Sequence, residues 1–227
     1  MKLIFENADF IFEFNENEPV SIDVNSQKLF SRLSTSLVFD SDIVPEKFIF
    51  LQDKKEVSFV KNSICVLNPL DLPFKSATLL NLLYKKMDSQ IRQDGQYLLE
   101  LQELHNKLRS FYQEITNDYF ADYFFDLELD IKKYLKSFGY SNYFDLDLSL
   151  LDNIEKFLEF CADVCPDKVI FFINLKNFLT EIEYFNLCKH IFYLKIPVVS
   201  LNSGLDLYNV ENDVNYTIDL DFFVQKN

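Results

Sequence analysis

Glycine is nearly missing from this chain: of 227 residues only Gly95, Gly139 and Gly204 are glycine, and they lie far apart. Backbone N–H groups cradle a phosphate only where glycines cluster, because a Cβ blocks close approach to the anion. Neither GxxxxGKS/T nor GxGxxG can be written with these three residues, which excludes a conventional P-loop nucleotidase and a Rossmann dehydrogenase. Histidine is scarcer still, with two residues. His105 lies mid-helix in LQELHNKL, and His190 forms only the fragment Cys188-x-His190. A structural zinc site takes four ligands, and no CxxC or second ligand pair is near. No GxSxG elbow, HExxH motif or nucleophile with its base is present, so the chain is read as non-enzymatic. The four cysteines read as reduced thiols, with Cys161 and Cys165 acting as small hydrophobes one helical turn apart. No apolar run approaches the roughly 18–20 residues of a membrane span. Glu6 and Asp9 interrupt the first apolar segment, unlike a secretory signal. A soluble, cytoplasmic protein with no membrane partner is expected.

What is abundant is acid. Thirty-six Asp and Glu against 22 Lys and Arg give a net charge of −14. Such a balance disfavours polyanions unless the bases gather on one surface and a cation offsets some of the acids. Apolar residues at 48% and charged residues at 26% place the chain in the globular class, as one large domain or two small ones.

The periodicity changes along the chain. LIFE, FIFEF and VSIDV, within 2–24, suit short strands, and SQKLFSRLSTSLV (26–38) suits a helix capped by Ser26. KFIFLQD, VSFV and ICVL (47–67) return to strand character. From Ser76 to about Thr116, apolar residues recur every three or four positions, split at Asp94-Gly95, which predicts two long helices in a hairpin. After Gly139 come a helix in SLLDNIEKFLEFCADV, a buried central strand in KVIFFINL (168–175), and a Thr180-capped helix in EIEYFNLCKHIFYL. VVSLN and YTIDLDFFV (216–224) complete a strand–helix–strand–helix–strand order that predicts a parallel sheet with crossover helices. The expected architecture is α/β, with a discontinuous head of residues 1–75 and 139–227 and an inserted helical domain of residues 76–138.

Asp118, Asp122, Asp126, Glu128 and Asp130 set five carboxylates in thirteen residues with no base among them. Converging carboxylates repel unless a hard cation sits between them, and oxygen-only ligands suit Ca²⁺. The EF-hand pattern is absent, and the same run would serve as a solvated acidic turn. Lys132, Lys133 and Lys136 follow at helical spacing, either as a DNA-facing surface or as one side of an ordinary amphipathic helix.

The stretches LNPLDLPFKSATLLNLLYKKMDSQ, FFDLELDIKKYLKSFG and KVIFFINLKNFLTEIEYFNL, with the later VVSLNS, resemble one family in order and spacing. It is the accessory ring protein of type II-A CRISPR spacer acquisition, and the resemblance runs from about residue 20 to YTIDLDFFV. It implies a head like that of a P-loop ATPase but without a working phosphate loop, plus an inserted helical leg. It also implies a homotetrameric ring that binds Ca²⁺ and threads double-stranded DNA, with the CRISPR integrase complex and effector nuclease as partners. VSIDV followed by NSQKLFSRL fills the phosphate-loop slot without a glycine. The family's Ca²⁺ ligands fall on Asp118, Asp122, Asp126, Glu128 and Asp130, although the segment from these acids to KSFG is a few residues shorter than usual.

The function implied is non-catalytic, sequence-independent binding of duplex DNA. The expected DNA contacts are Lys132, Lys133 and Lys136, with Lys85, Lys86 and Arg92 on the first long helix and Lys176 after the buried strand. The 25 Phe and 12 Tyr point to self-association as a homotetramer; the alternative function is a scaffold that binds protein partners through its aromatic surface and touches no DNA. A degenerate nucleotide hydrolase is the third class, and no ATP turnover is expected.

Overall fold

Alternation of apolar and polar residues at the start of the chain produces a hairpin. In the computed structural model, which describes all residues except 7–9, 16–17, 40–42, 125–127 and 206, β1 (Lys2–Phe5) pairs antiparallel with β2 (Phe10–Glu13). Leu3, Phe5, Phe10 and Phe12 all point to the buried side. β3 (Val20–Val24) leaves this sheet for another and runs into α1 (Gln27–Val38). The Ser26 hydroxyl caps α1 by accepting from the Leu29 amide, and Leu29, Leu33 and Leu37 bury one stripe. β4 (Phe48–Gln52) and β5 (Lys55–Glu56) complete a four-stranded antiparallel sheet in the order β2-β1-β4-β5.

The expected strand VSFV is not one. Its last two residues belong to the short helix α2 (Phe59–Asn62), because the Phe59 ring is drawn inward against Phe48, Phe50 and Phe171. β6 (Ser63–Val66) follows. Farther along come α3 (Ala77–Gln93), α4 (Gly95–Thr116), α5 (Ile131–Ser137) and α6 (Leu150–Val164), then β7 (Val169–Ile173). The last elements are α7 (Glu181–Leu194), β8 (Val198–Ser203), β9 (Val214–Ile218) and β10 (Val224–Lys226).

The second sheet has the order β10-β9-β3-β8-β7-β6. All its pairings are parallel except that of β10 with β9. Buried on both faces, β7 places Phe171 against Phe14 and Phe59 on one side and Phe172 against Phe157 of α6 on the other. Each such ring removed from water contributes roughly 1.5–3 kcal/mol. Capping boxes start the two crossover helices, Ser149 with Asp152 on α6 and Thr180 with Glu183 on α7. YTIDLDFFV is two strands rather than one. The Asp219 carboxylate accepts from the Asp221 and Phe223 amides at 2.9 Å each, and Phe222 takes φ +65°, so the chain reverses between β9 and β10.

Two compact units result, Met1–Phe74 with Tyr143–Asn227, and Lys75–Asn142. The second holds α3, α4 and α5, and its interior is thin. Leu79 and Tyr84 are buried on α3, Ile131 on α5, and no residue on α4. The Tyr84 hydroxyl donates to Tyr140 O at 3.0 Å, and His105 Nδ1 lies 2.7 Å from the Tyr134 hydroxyl, tying α4 to α5. Among the described residues no helix is long and apolar enough to cross a membrane.

Candidate functional site

The expected acids and bases meet at the start of α5. Asp130 is its N-cap, with the carboxylate accepting from the Lys133 amide at 3.0 Å and lying 3.7 Å from Lys133 Nζ. The Lys133 amide first, then the charges of Lys133 and Lys132, hold this exposed carboxyl below the usual range. Glu128, Asp130, Lys132 and Lys133 line a cleft of ≈ 300 Å³ together with Asp88 and Arg92 of α3. Arg92 is already paired, its Nε lying 3.0 Å from Asp88 Oδ1 one turn back. Lys136 is exposed farther along α5, while Lys85 is exposed and Lys86 half-buried on α3 outside this cleft.

The five acids do not all come together. Asp122 lines a different cleft, beside Glu114 and Asn117, and Asp118 is exposed beyond the end of α4. Asp126 lies outside the described residues. Among the described residues no three His, Cys, Asp or Glu converge as metal ligands. The donor chemistry of Glu128 and Asp130, carboxylate oxygen only, suits a hard cation, and one Asp130 oxygen is already committed to capping α5. Asp88 is the acid that sequence reasoning missed. Its only signal was the i,i+4 relation to Arg92.

Lys176 requires correction as a DNA contact. It sits in the short turn after β7, 2% exposed, with Nζ 2.8 Å from Asp23 Oδ2, 3.6 Å from Asp213 Oδ2 and donating to Tyr208 O at 3.1 Å. Committed to these partners and shielded from solvent, its ammonium does not reach the surface where a phosphate would sit.

The surroundings of Lys176 form a polar network that the sequence reading passed over. Asp23 also accepts from Asn202 Nδ2 at 2.9 Å and Asn215 Nδ2 at 2.5 Å, and Asn202 Oδ1 accepts from the Lys176 amide at 3.1 Å. Register explains the convergence. Ser21 stands opposite Ser200 and Asn215, and Asp23 opposite Asn202, so three neighbouring strands turn their polar residues to one face. The signal was legible as Ser and Asp, then Ser and Asn, at alternate positions inside the apolar runs VSIDV and VVSLN. Burial pushes the Asp213 carboxyl up to about 6 despite the neighbouring Lys176. Burial likewise raises the Tyr184, Tyr208 and Cys188 groups. Shielded from solvent, the network holds strands together.

No histidine or cysteine lines the cleft at the start of α5. His190 Nε2 lies 3.5 Å from Glu159 Oε1, between neighbouring helices. All four cysteines are free; Cys161, Cys165 and Cys188 are buried.

No curated protein matches this chain. A family model described as CRISPR-associated protein (Cas_Csn2) matches residues 39–222. With most of its length so matched, from the end of α1 to the turn before β10, the chain belongs to the Cas_Csn2 family of CRISPR-associated proteins.

Proposed function

We propose that this protein is a non-catalytic, sequence-independent binder of duplex DNA that serves spacer acquisition in a type II-A CRISPR system. The observation that carries this reading is the gathering of Arg92, Lys132 and Lys133 around one cleft, with Lys136 exposed on the same helix, in a chain of net charge −14. Phosphate binding without base readout needs only cations held at one surface. Glu128 and Asp130 are the residues we assign to a Ca²⁺ ion in that cleft, with Asp118, Asp122 and Asp126 as the other acids of the segment. The ion would supply positive charge beside the bases and hold the start of α5 in place.

The larger unit suits a P-loop-ATPase-like head that has lost its phosphate loop. β3 passes through Asn25 and Ser26 into α1 with no glycine at the turn. The unit Lys75–Asn142 suits an inserted leg, and its thin interior suits assembly into a homotetrameric ring. α4 has no buried residue and exposes Tyr97, Leu104, Leu108, Phe111 and Ile115, an apolar surface of the kind that partner subunits cover. The same surface favours a second reading, a scaffold that binds proteins and no DNA. The CRISPR integrase complex and effector nuclease are the partners expected under either reading.

Fluorescence anisotropy on duplexes of unrelated sequence separates the two. Under the DNA reading, binding is indifferent to sequence and weakens steeply with salt. Lys132→Glu with Lys133→Glu and Lys136→Glu abolishes it while the light-scattering mass stays that of a tetramer. In the single variants the salt slope falls in magnitude by about 0.9 for each lysine that meets a phosphate. Unchanged binding by the triple variant would remove these lysines from the DNA surface, and no binding by the wild type, with and without Ca²⁺, would favour the scaffold.

A further inference from the structure

One member of the buried network is out of balance. Asp23 receives three donors, from Lys176, Asn202 and Asn215, and is satisfied as a carboxylate. Asp213 is not. Its side chain is 0% exposed, its Oδ2 accepts from the Ser21 hydroxyl at 2.5 Å and lies 3.6 Å from Lys176 Nζ, and its Oδ1 has no hydrogen-bond partner among the described residues. Two carboxylates thus share one ammonium in a volume closed to water, and the second brings an uncompensated charge. A proton on Asp213 removes that charge without losing its hydrogen bond. The Ser21 oxygen also accepts from Asn215 Nδ2 at 2.8 Å, and its contact with Asp213 Oδ2 serves whether the serine or the carboxyl donates.

We propose that Asp213 is a proton-operated latch on the segment Leu207–Asp213 that leads into β9: closed over Lys176 when Asp213 is protonated, loosened when it ionises. The segment is tied down at both places that matter. Tyr208 O accepts from Lys176 Nζ, while the Tyr208 hydroxyl donates to Lys176 O at 3.1 Å and Leu179 O at 3.0 Å. Asp213 is bound at the other end, one residue before the Val214 amide that donates to Pro19 O at 2.9 Å.

The titratable groups facing Asp213 are Lys176 from the turn after β7, Asp23 from β3, Tyr184 and Cys188 from α7, and Tyr208 from the segment itself. Tyr184, Cys188 and Tyr208 are all raised by burial, so they stay neutral through the neutral range. The Asp213 carboxyl is raised from 3.8 to about 6, chiefly by burial. A raised value means that the closed state binds the proton more tightly than an open, hydrated one. Closure is therefore favoured in acid and lost as pH rises through about 6.

Backbone hydrogen exchange on the full chain, corrected for intrinsic rates, tests this. The Val214 and Lys176 amides report opening, and their opening constants should rise about tenfold between about pH 5 and about pH 7.5. Asp213→Asn, which cannot ionise, should abolish that rise. An opening constant that does not change with pH in the wild type, or a rise that persists in Asp213→Asn, would overturn the latch. If the variant does not fold, ¹³C titration of the wild-type Asp213 carboxyl decides. A midpoint near 6 upholds the latch and one in the ordinary carboxylate range refutes it.

Discussion

Replacing Lys176 with methionine separates a core lysine from a DNA-binding one. Methionine keeps most of the aliphatic volume and removes the ammonium, so Asp23 and Asp213 remain in the protein interior without a cation. The lost contacts are the 2.8 Å pair with Asp23, the 3.6 Å approach to Asp213 and the 3.1 Å bond to Tyr208 O. They also include the placement of Nζ 5.3 Å above the Tyr184 ring. At an effective dielectric near 20, a pair at that closest distance attracts by about 6 kcal/mol before desolvation is counted. Measured losses for breaking one side of a buried pair run at about 3–5 kcal/mol, because the remaining charge is stranded. For a chain of this size that corresponds to a fall in melting temperature of about 6–20 °C. The loss should shrink in acid, where Asp213 takes up a proton, and Asp23→Asn in the Lys176→Met background should restore part of it. Thermal unfolding followed by circular dichroism gives the stability, and anisotropy at a temperature where both proteins are folded gives the affinity for DNA. A variant that melts within about 2 °C of the wild type yet loses its DNA affinity would refute the buried assignment and return Lys176 to the surface.

Ser149→Ala and Thr180→Ala each remove one half of a capping box, at the start of α6 and α7 respectively, and each should cost about 1 kcal/mol in urea unfolding without altering assembly. Because these caps lie on different helices with separate hydrogen bonds, the double variant should lose the sum, and a loss well above it would mean the caps are coupled. The Asp130 cap has the opposite pH signature to Asp213. Its carboxyl is lowered, so its contribution to α5 is present above the ordinary Asp value and is lost as pH falls through the lowered one. Asp130→Asn, which still caps but carries no charge, should remove that acid sensitivity, as read from the amide chemical shifts of Lys132 and Lys133. Shifts that titrate identically in the variant would mean another acid governs the start of this helix.

Much of this protein is written in short-range signals. Ser26, Ser76, Asp94 and Thr180 cap the helices they precede, since a capping hydrogen bond spans two or three residues and needs nothing from the rest of the fold. The continuous apolar run of β7 announces a strand buried on both faces, and the apolar period announces α3 and α4. Where a local pattern failed, a distant partner or a side-chain turn had won. VSFV has strand character, but Phe59 is drawn into a cluster of rings from β4 and β7. YTIDLDFFV reads as one strand until Asp219 folds back on its own backbone.

The site divides in the same way. The acids and lysines of 118–136 are visible as a run, whereas the meeting of Glu128 and Asp130 with Asp88 and Arg92 depends on how α3 and α5 lie together. Lys176 is the sharpest case. Taken alone, a lysine after a strand belongs at the surface, because burying an ammonium without a partner costs far more than its stem can return. Its partners are Asp23, 153 positions away, and Asp213, while Asn202 and Asn215 hold Asp23 from 179 and 192 positions away. They become neighbours only when β3 inserts between β8 and β9. Local sequence determined which segments are helices and strands and where most of them begin, since those interactions close within one turn. The order of strands in the sheet, which no local interaction encodes, decided which charges meet and therefore which lysine is buried.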